Sequence, residues 1–504
     1  MESLATLPPD SDEQQAQVTA IQDEDGFNWG YNPALWGVPK GSYATNPNGS
    51  CRILEFRKMV QSLNRIGLRV VLDVVYNHLH GSGPHGDNSV LDKVVPGYYL
   101  RRNFDGYIEN STCVNNTASE HFMVERLIVD DILCWAVDYK VDGFRFDLMG
   151  HIMKRTMLKA QSALCSLTKD QSGVDGTKIY IFNDRMRDAV IGGSPFGHPL
   201  QQGFMTGLSF QPNGHDHGAK IVVEKMLSAS QDHIQVAMAG NLRDFVLTSH
   251  QGEEVKGSEV LTHDGSPVAY ALCPSETVNY VSAHDNETLF DIISLKGIPF
   301  FHCGDEMLRS KSLDRDSYNS GDWFNRLDFS YETNNWAVGL PPKGKNERSW
   351  PLIKPRLADP SFKPKKSHIL AAVENYLNLL RIRYSSLLFR LRTGNEIQER
   401  VHFHNTGPSS VPGIIVMSIE DSHKGRPGLT QLDPNYSYIV VAFNASPREV
   451  TFTSPALRTR TLDLHPIQLM SGDEVVKNSN YNAFTGSFTV PPRTTSVFVE
   501  SREI

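Results

Sequence analysis

The chain has 504 residues, of which 39% are hydrophobic and 21% are charged, and its formal net charge at pH 7 is −8. This composition is typical of a folded globular chain, and the negative charge argues against nucleic acid or an anionic membrane as a partner. No window reaches the ~18 apolar residues of a membrane helix, and the six scattered cysteines predict reduced thiols rather than a disulfide scaffold or a zinc site.

Residues 1–26 are predicted to be a loose acidic leader or a fragment of something longer. The segment is rich in Asp and Glu, and no Lys or Arg occurs before Lys40. A transit peptide is poor in acidic residues and rich in arginine, and a secretory signal has an apolar core. The segment therefore predicts neither kind of targeting peptide.

Residues 27–395 alternate between helix and strand patterns. "RILEFRKMVQSLNRIG" has helical spacing of Leu54, Met59, Leu63 and Ile66 and ends at a glycine. The β-branched run "LRVVLDVVY" that follows is typical of a strand buried on both faces of a parallel sheet. A second helix and strand follow in "VERLIVDDILCWAVDY" and "VDGFRFDL".

Further strands are predicted at 178–182, 277–285 and 297–306, and a long amphipathic helix at 367–392. We count five strands, so this alternation predicts an α/β fold, an incomplete (β/α)8 TIM-type barrel. From 396 to 504 the hydrophobic period becomes two residues, as in "YSYIVVAFNAS", which predicts a C-terminal antiparallel β-sandwich.

Polar side chains cluster where predicted strands end, the edge at which barrel enzymes carry their chemistry. They are Asp73, Asn77, His78, Arg145, Asp147, His284, Asp285, Asp305 and Glu306. Paired carboxylates near a neutral polar substrate favour glycosyl transfer. His78 and His284 could instead bind a transition metal with Asp147 and Asp285, although histidines that donate to sugar hydroxyls explain the pattern better. No Gly-x-Gly-x-x-Gly motif directly follows a predicted strand, where it would indicate a dinucleotide site. The sequence also contains no Gly-x-Ser-x-Gly motif, which would indicate the nucleophile elbow of an α/β-hydrolase.

These motifs resemble a known family. "DVVYNH", "GFRFDLMGH" and "YVSAHDNETLFD" resemble three conserved regions of the α-amylase family of glycoside hydrolases, and "FNWGYNPALWGVPKGSYATNPNG" resembles the signature of its pullulanase branch. "SLDRDSYNSGDWFNRLDF" and "ETNNWAVGLPP" are similar to the plant limit dextrinases of that branch, plastid enzymes that cleave α-1,6 branch points. The resemblance runs from about residue 7 to the C-terminus.

The resemblance implies a role for each matching residue. Asp147 matches the nucleophile of a retaining hydrolase, and Arg145 matches the arginine that keeps the nucleophile ionised. Asp285 matches a third carboxylate that binds sugar hydroxyls. The substrate-binding residues are His78, His284, Tyr31, Trp29, Asp314 and Arg315, with packing at the rim as the alternative for Tyr31 and Trp29. The implied partners are branched α-glucans (limit dextrin, pullulan and amylopectin-derived chains) in a plastid. No cofactor is required for the chemistry, but a structural calcium ion is implied.

One part of the family pattern is missing. The family's general acid is a glutamate at the end of the next barrel strand, but here "KIYI" runs directly into "FNDRMRDA", and no Glu occurs between Glu125 and Glu224. Asp184 is the carboxylate nearest to that position. The span from Asp285 to Gly297 is also short for a crossover between parallel strands. We therefore predict impaired catalysis, with a non-catalytic glucan-binding or misassembled splice-form relative as the alternative.

Overall fold

The computed structural model describes residues 3–111, 113–176, 185–192, 198–262, 264–277, 279–280, 282–291, 302–422 and 428–502. The chain forms two compact units, and each is described by itself. One unit is Trp29–Phe182, and the other joins Met1–Asn28 to Asn183–Ile504. These boundaries differ from the predicted ones, because the C-terminal sheets share a unit with the helices that precede them.

The described helices are α1 (Glu13–Ala20), α2 (Cys51–Arg65), α3 (Leu91–Val94), α4 (Phe122–Val137), α5 (Lys154–Cys165), α6 (Lys169–Ser172), α7 (Arg185–Ile191), α8 (Lys220–Met238), α9 (Gly321–Asn325), α10 (Lys343–Asn346), α11 (Trp350–Ala358), α12 (Lys366–Ser385), α13 (Gly394–Arg400) and α14 (Pro466–Leu469). The described strands are β1 (Val71–Val74), β2 (Gly143–Phe146), β3 (Val246–Thr248), β4 (Glu254–Lys256), β5 (Val401–Phe403), β6 (Ile414–Glu420), β7 (Tyr436–Asn444), β8 (Val450–Thr453), β9 (Asp463–Leu464), β10 (Asn480–Asn482), β11 (Ser487–Val490) and β12 (Thr495–Ser501).

The 29–182 unit is built on the parallel pair β1 and β2, with Val71 opposite Gly143. Helix α4 packs over this pair because Val124, Ile128 and Ile132 recur every four residues and are fully buried. Helix α2 forms where predicted, but its inward face is different. Three of the predicted positions, Leu54, Met59 and Ile66, are exposed, whereas Val60 is buried with Ile53 and Phe56 packed beside it.

The C-terminal region confirms the predicted antiparallel sheet domain. A five-stranded sheet has the order β5-β6-β7-β12-β9, and a three-stranded sheet has the order β10-β11-β8. Ile414 and Val440 of the larger sheet share a buried cluster with Phe488 and Val490 of the smaller one. The other face of the larger sheet packs against α8 and α12, which explains why these elements form one unit.

The predicted acidic leader is folded over much of its length, contrary to expectation. Helix α1 buries Val18 in a cluster with Leu4, Trp323 and Phe324. The Oε1 of Gln15 accepts a hydrogen bond from the backbone N of Lys343, 3.0 Å away. Helix α1 is therefore held by buried Val18 together with the buried side chains of Gln14 and Gln15.

The predicted barrel is established only in part. The strand predicted at 178–182 lies outside the described residues, as do parts of those at 277–285 and 297–306. The described parts of the latter two form turns and a 3-10 helix at Asp305–Met307. Within the described chain, the parallel sheet consists of β1 and β2, so the incomplete (β/α)8 barrel remains a prediction.

Candidate active site

In the 29–182 unit, Arg145 binds two carboxylates at the β1–β2 pair. Asp73 and Arg145 are partners in the strand register. The Nη1 atom of Arg145 lies 3.0 Å from Oδ1 of Asp73 and 3.0 Å from Oδ1 of Asp147. Burial disfavours the charged guanidinium and would lower its pKa, but Asp73, Tyr31 and Asp147 together outweigh burial, so the pKa of Arg145 is raised. The arginine therefore stays charged and holds both carboxylates.

Asp147 follows directly after β2, at its carboxyl end. Its backbone N donates to the carbonyl of Val74, 2.9 Å away, which extends the ladder by one residue. The next residue, Leu148, has a φ of 43° in the left-handed region. A leucine in that conformation costs on the order of 1–2 kcal/mol, so the surrounding structure holds the Asp147 backbone in place against strain.

Tyr31 completes this cluster from a loop before α2. Its hydroxyl donates a short hydrogen bond to Oδ2 of Asp73, and the guanidinium carbon of Arg145 lies 5.5 Å from its ring centroid. Burial and the charge of Asp73 raise the pKa of Tyr31, so the phenol keeps its proton. Trp29 packs edge-on to Tyr31 with ring centroids 6.3 Å apart. Both predicted aromatic residues are therefore near the carboxylates.

His78 is buried, with 3% of its surface exposed. Its Nδ1 lies 3.0 Å from the side-chain amide of Asn77, and a backbone hydrogen bond joins its ring to Tyr31. Burial lowers the pKa of His78, which favours a neutral imidazole at pH 7. A neutral ring with one N–H can orient a hydroxyl without attracting a counter-ion.

The sequence identifies Asp73 as a polar residue at a strand end but assigns it no role in the site. Its carboxylate oxygen and that of Asp147 each lie 3.0 Å from the same nitrogen, so the two oxygens are no more than 6.0 Å apart. The carboxyls of a retaining glycosidase are about 5–5.5 Å apart. Asp73 nevertheless does not suit the role of general acid, because the Arg145 cation and the Tyr31 hydroxyl both stabilise its ionised form.

The second group of predicted site residues lies in the other unit, on the turn 284–287. The side chain of Asp285 is more than half exposed, and its Oδ1 lies 3.8 Å from Nε2 of His284. Arg315 reaches the same turn, where its Nε lies 3.3 Å from Oε1 of the buried Glu287. The unit thus brings together His284, Asp285 and Arg315.

Asp314 occupies a different position from the one predicted. It has no exposed surface, and its carboxylate accepts hydrogen bonds from the Asn346 amide at 2.9 Å and the Ser320 hydroxyl at 2.6 Å. Because both oxygens of the buried Asp314 carboxylate accept hydrogen bonds, this residue stabilises the loop that carries Arg315. This geometry fits an internal role better than the predicted contact with glucose.

Other predicted features concern metals, thiols and membranes. Asp184 and the end of the strand before it lie outside the described residues. Among those that are described, no cluster of three or more His, Cys, Asp or Glu side chains could hold a metal ion, and the implied structural calcium stays a prediction. All six cysteines are free thiols. No helix in the described part of the chain has the length and apolarity to cross a membrane.

Comparison with known proteins reveals a consistent set of relatives. Residues 331–501 match the family described as alpha-1,6-glucosidases, pullulanase-type, C-terminal. The chain is 65% identical to pullulanase 1, chloroplastic, of Arabidopsis thaliana, an alignment that covers 99% of this chain and 58% of the relative. It is 38% identical to the pullulanase of Klebsiella pneumoniae, over 96% of this chain and 48% of the relative.

Solved structures agree with the sequence relatives. Ligand-free PulA from Klebsiella pneumoniae matches all of this chain with a TM-score of 0.89 and 38% identity, and 52% of that chain is covered. PulA from the same organism in complex with maltotriose matches with a TM-score of 0.89 and 37% identity, and 59% of that chain is covered. The chain therefore spans about half the length of the relatives that it matches.

The alignments also show that these relatives contain internal residues that this chain lacks. The Arabidopsis alignment runs over 555 positions, whereas 99% of 504 residues is about 499, which leaves about 56 positions without a counterpart here. The Klebsiella alignment runs over 538 positions, whereas 96% of 504 is about 484, which leaves about 54. Two relatives of different identity thus indicate losses of the same size.

Proposed function

This chain is a pullulanase relative along its whole length, and from that premise we propose that it acts on α-1,6-glucosidic branch points of starch-derived glucans. Its substrates are limit dextrin, pullulan and amylopectin-derived chains, and its compartment is the plastid, as the name of the Arabidopsis relative suggests. The observation that carries the proposal is the ion pair of Asp147 with Arg145 at the carboxyl end of a parallel strand. The enzymatic names of the relatives favour this proposal over the binding-only alternative.

The proposed reaction retains the anomeric configuration. The Asp147 carboxylate attacks the anomeric carbon, the bond from that carbon to O6 of the branch-point glucose breaks, and a glycosyl ester forms on Asp147. Water then attacks the same carbon and releases Asp147. Arg145 keeps the attacking carboxylate ionised and oriented. In the 29–182 unit, His78 binds a hydroxyl of the sugar, and Tyr31 with Trp29 forms an apolar platform for its ring. His284 and Asp285 belong to the other unit, and for them we keep the hydroxyl-binding role that the resemblance implies.

We also propose that protonation of the leaving oxygen is impaired. The departing O6 needs a proton, and a general acid typically contributes about 10²–10⁴-fold to such a step. The absence of Glu between Glu125 and Glu224 supports this proposal. The alignment gaps of about 56 and 54 positions support it as well, since their total length is enough to include the acid-bearing segment of the family. None of these steps involves calcium.

The test uses two substrates that differ in their need for an acid. The purified chain is first shown to unfold cooperatively and is then assayed on pullulan and on α-maltosyl fluoride, with and without azide. We expect slow cleavage of pullulan and faster release of fluoride, because fluoride leaves without protonation. Azide is expected to accelerate turnover by attacking the glycosyl ester in place of activated water.

Two variants complete the test. Asp147→Asn is expected to abolish both activities, whereas Asp130→Asn, which alters an exposed ion pair on α4, is expected to leave them unchanged. Pullulan cleavage at the rate of an intact relative would show that another group supplies the proton. The proposal that catalysis is impaired would then be wrong. A folded chain inert towards both substrates would overturn the hydrolase assignment.

A further inference from the structure

Lys311 is a fully buried cation directly beneath the turn that carries His284 and Asp285. Only 1% of its surface is exposed. Its Nζ donates to the carbonyl of His284, 2.8 Å away, and to the carbonyl of Asn286, 2.6 Å away. These two carbonyls flank Asp285 on both sides, so one ammonium group fixes the backbone around that residue.

A buried ammonium group is costly unless charges and hydrogen bonds compensate it. Burial lowers the pKa of Lys311, and the carboxylates of Asp314, Asp291 and Glu287 act in the opposite direction. A methionine of similar length would fill this space without that cost. In this structure the two carbonyl hydrogen bonds of Nζ and the neighbouring carboxylates supply that compensation.

Backbone strain is concentrated on both sides of this contact. Asn286 has a φ of 62°, and Leu308, Ser312 and Leu313 have φ values of 59°, 54° and 66°. None of these residues is glycine, so each left-handed conformation costs on the order of 1–3 kcal/mol and persists only where the surroundings enforce it. The Lys311 contact joins one strained segment to the other.

Additional contacts hold the lysine and the turn in place. The backbone N of Lys311 donates to Oδ2 of the buried Asp291 at 2.8 Å, and the Ser310 hydroxyl donates to Oδ1 of the same carboxylate at 2.5 Å. Arg315 pairs with Glu287 at the far end of the turn. The Lys311 side chain is therefore presented from a rigid support.

We propose that Lys311 is a positioning residue that holds the 284–286 turn so that His284 and Asp285 are presented to the sugar. This proposal rests on the proposed function for its catalytic consequence, but its structural part can be measured without turnover. Lys311 is not assigned any contact with substrate.

The first experiment measures amide hydrogen exchange of the peptide 282–290 in the full chain. Lys311→Met removes the donors and keeps the length of the side chain, and Lys311→Arg restores both donors and charge. The matched control is Arg309→Met. Arg309 is also buried and donates to carbonyls, but these belong to Asn325 and Cys303 rather than to the turn.

We expect Lys311→Met to accelerate exchange in peptide 282–290 at least tenfold and Lys311→Arg to recover part of the protection. Arg309→Met is expected to lower the melting temperature while leaving that peptide protected. If Lys311→Met does not fold, Lys311→Gln is measured in its place. Its amide is uncharged and its nitrogen lies one bond nearer the backbone than Nζ, so it should also accelerate exchange in peptide 282–290. Unchanged exchange in a folded variant would overturn the proposal.

The second experiment measures kcat and KM on α-maltosyl fluoride. Displacement of binding groups by about 1 Å can cost roughly 100-fold, so Lys311→Met should lower kcat/KM by about 10- to 100-fold, with recovery in Lys311→Arg. Faster exchange with unchanged kinetics would overturn the catalytic consequence. If the unmodified chain is inert towards the fluoride, the proposed function fails, and the exchange data still decide whether Lys311 holds the turn.

Discussion

Asp73 and Arg145 face each other in the register of β1 and β2, and the Nη1 of Arg145 lies 3.0 Å from Oδ1 of Asp73. The same nitrogen binds Asp147, so one guanidinium binds both the carboxylate of Asp73 on β1 and that of Asp147, the proposed nucleophile. Asp73 thereby sets the direction in which Arg145 points. The orientation of the nucleophile depends on a residue of another strand that does not itself react.

This relationship predicts the effect of Asp73→Asn. An uncharged amide releases Arg145, which then turns towards Asp147 and displaces its carboxylate. We expect kcat/KM for α-maltosyl fluoride to fall by about 10- to 100-fold, with a melting temperature close to that of the unmodified chain because the pair is partly exposed. Asp130→Asn is the control. Unchanged kinetics in Asp73→Asn would contradict the role given to this residue.

The C-terminal domain contains a buried ion-pair network whose loss should destabilise it. Asp421 has no exposed surface and binds Arg400 and Arg502, each at 2.7 Å. Asp421→Asn leaves the buried Arg400 without a full counter-charge, and we expect a loss of about 3–5 kcal/mol in the free energy of unfolding. Urea denaturation measures this loss. Asp463→Asn, at an exposed position in β9, should change the free energy by less than about 0.5 kcal/mol.

The effect of Asp421→Asn should also depend on pH. Burial alone would raise the pKa of Asp421, but backbone hydrogen bonds from Asp433, Leu432 and Ser422, together with Arg502, hold it below its usual value. A depressed pKa in the folded state stabilises the protein above the unfolded value, and this contribution is lost as pH falls through the folded pKa. The difference between the two proteins should therefore shrink in acid. A difference that grows in acid would contradict the assignment.

Asp291 predicts the opposite dependence on pH. Burial raises the pKa of Asp291 from its usual value of 3.8 to about 6. The folded protein therefore holds the proton more tightly, and stability declines as pH rises from about 4 to about 6. Relative to Asp291→Asn, which does not titrate, the unmodified chain should lose roughly 3 kcal/mol over this range. Denaturant titrations of both proteins at pH 4, 5, 6 and 7 measure the change. A constant difference would show that Asp291 does not titrate there.

Gly486 is a position where any side chain should be destabilising. Its φ is 72°, and an added Cβ would lie 2.3 Å from the backbone oxygen of Ser454. Gly486→Ala should therefore cost about 2 kcal/mol or more, from strain and overpacking together. Gly344→Ala, in α10, meets nothing within 4 Å and should be neutral or slightly stabilising. Thermal melts of the two variants distinguish these outcomes, and equal melting temperatures would contradict the expected clash.

Local sequence pattern was sufficient to predict many elements. Helices α2 and α4, strands β1 and β2, and the antiparallel C-terminal strands form where hydrophobic period and end signals place them, because these signals act within a few residues. Helix α12 begins where predicted but ends at Ser385, seven residues before the predicted end at 392. The pattern misplaced the inward face of α2, where Val60 rather than Leu54 or Met59 is buried. The choice among apolar faces is made by neighbours from elsewhere in the chain.

The sequence, through its resemblance to the family, predicted that Arg145 pairs with Asp147 two residues later, and the two side chains lie 3.0 Å apart. Only the tertiary structure decided that Asp73 shares Arg145, since the register between β1 and β2 joins positions 72 residues apart. Tertiary packing also buried Asp314 within the protein and placed Lys311 under the turn of His284 and Asp285. Burial and long-range hydrogen bonds depend on which segments meet in space, and no local pattern carries that information.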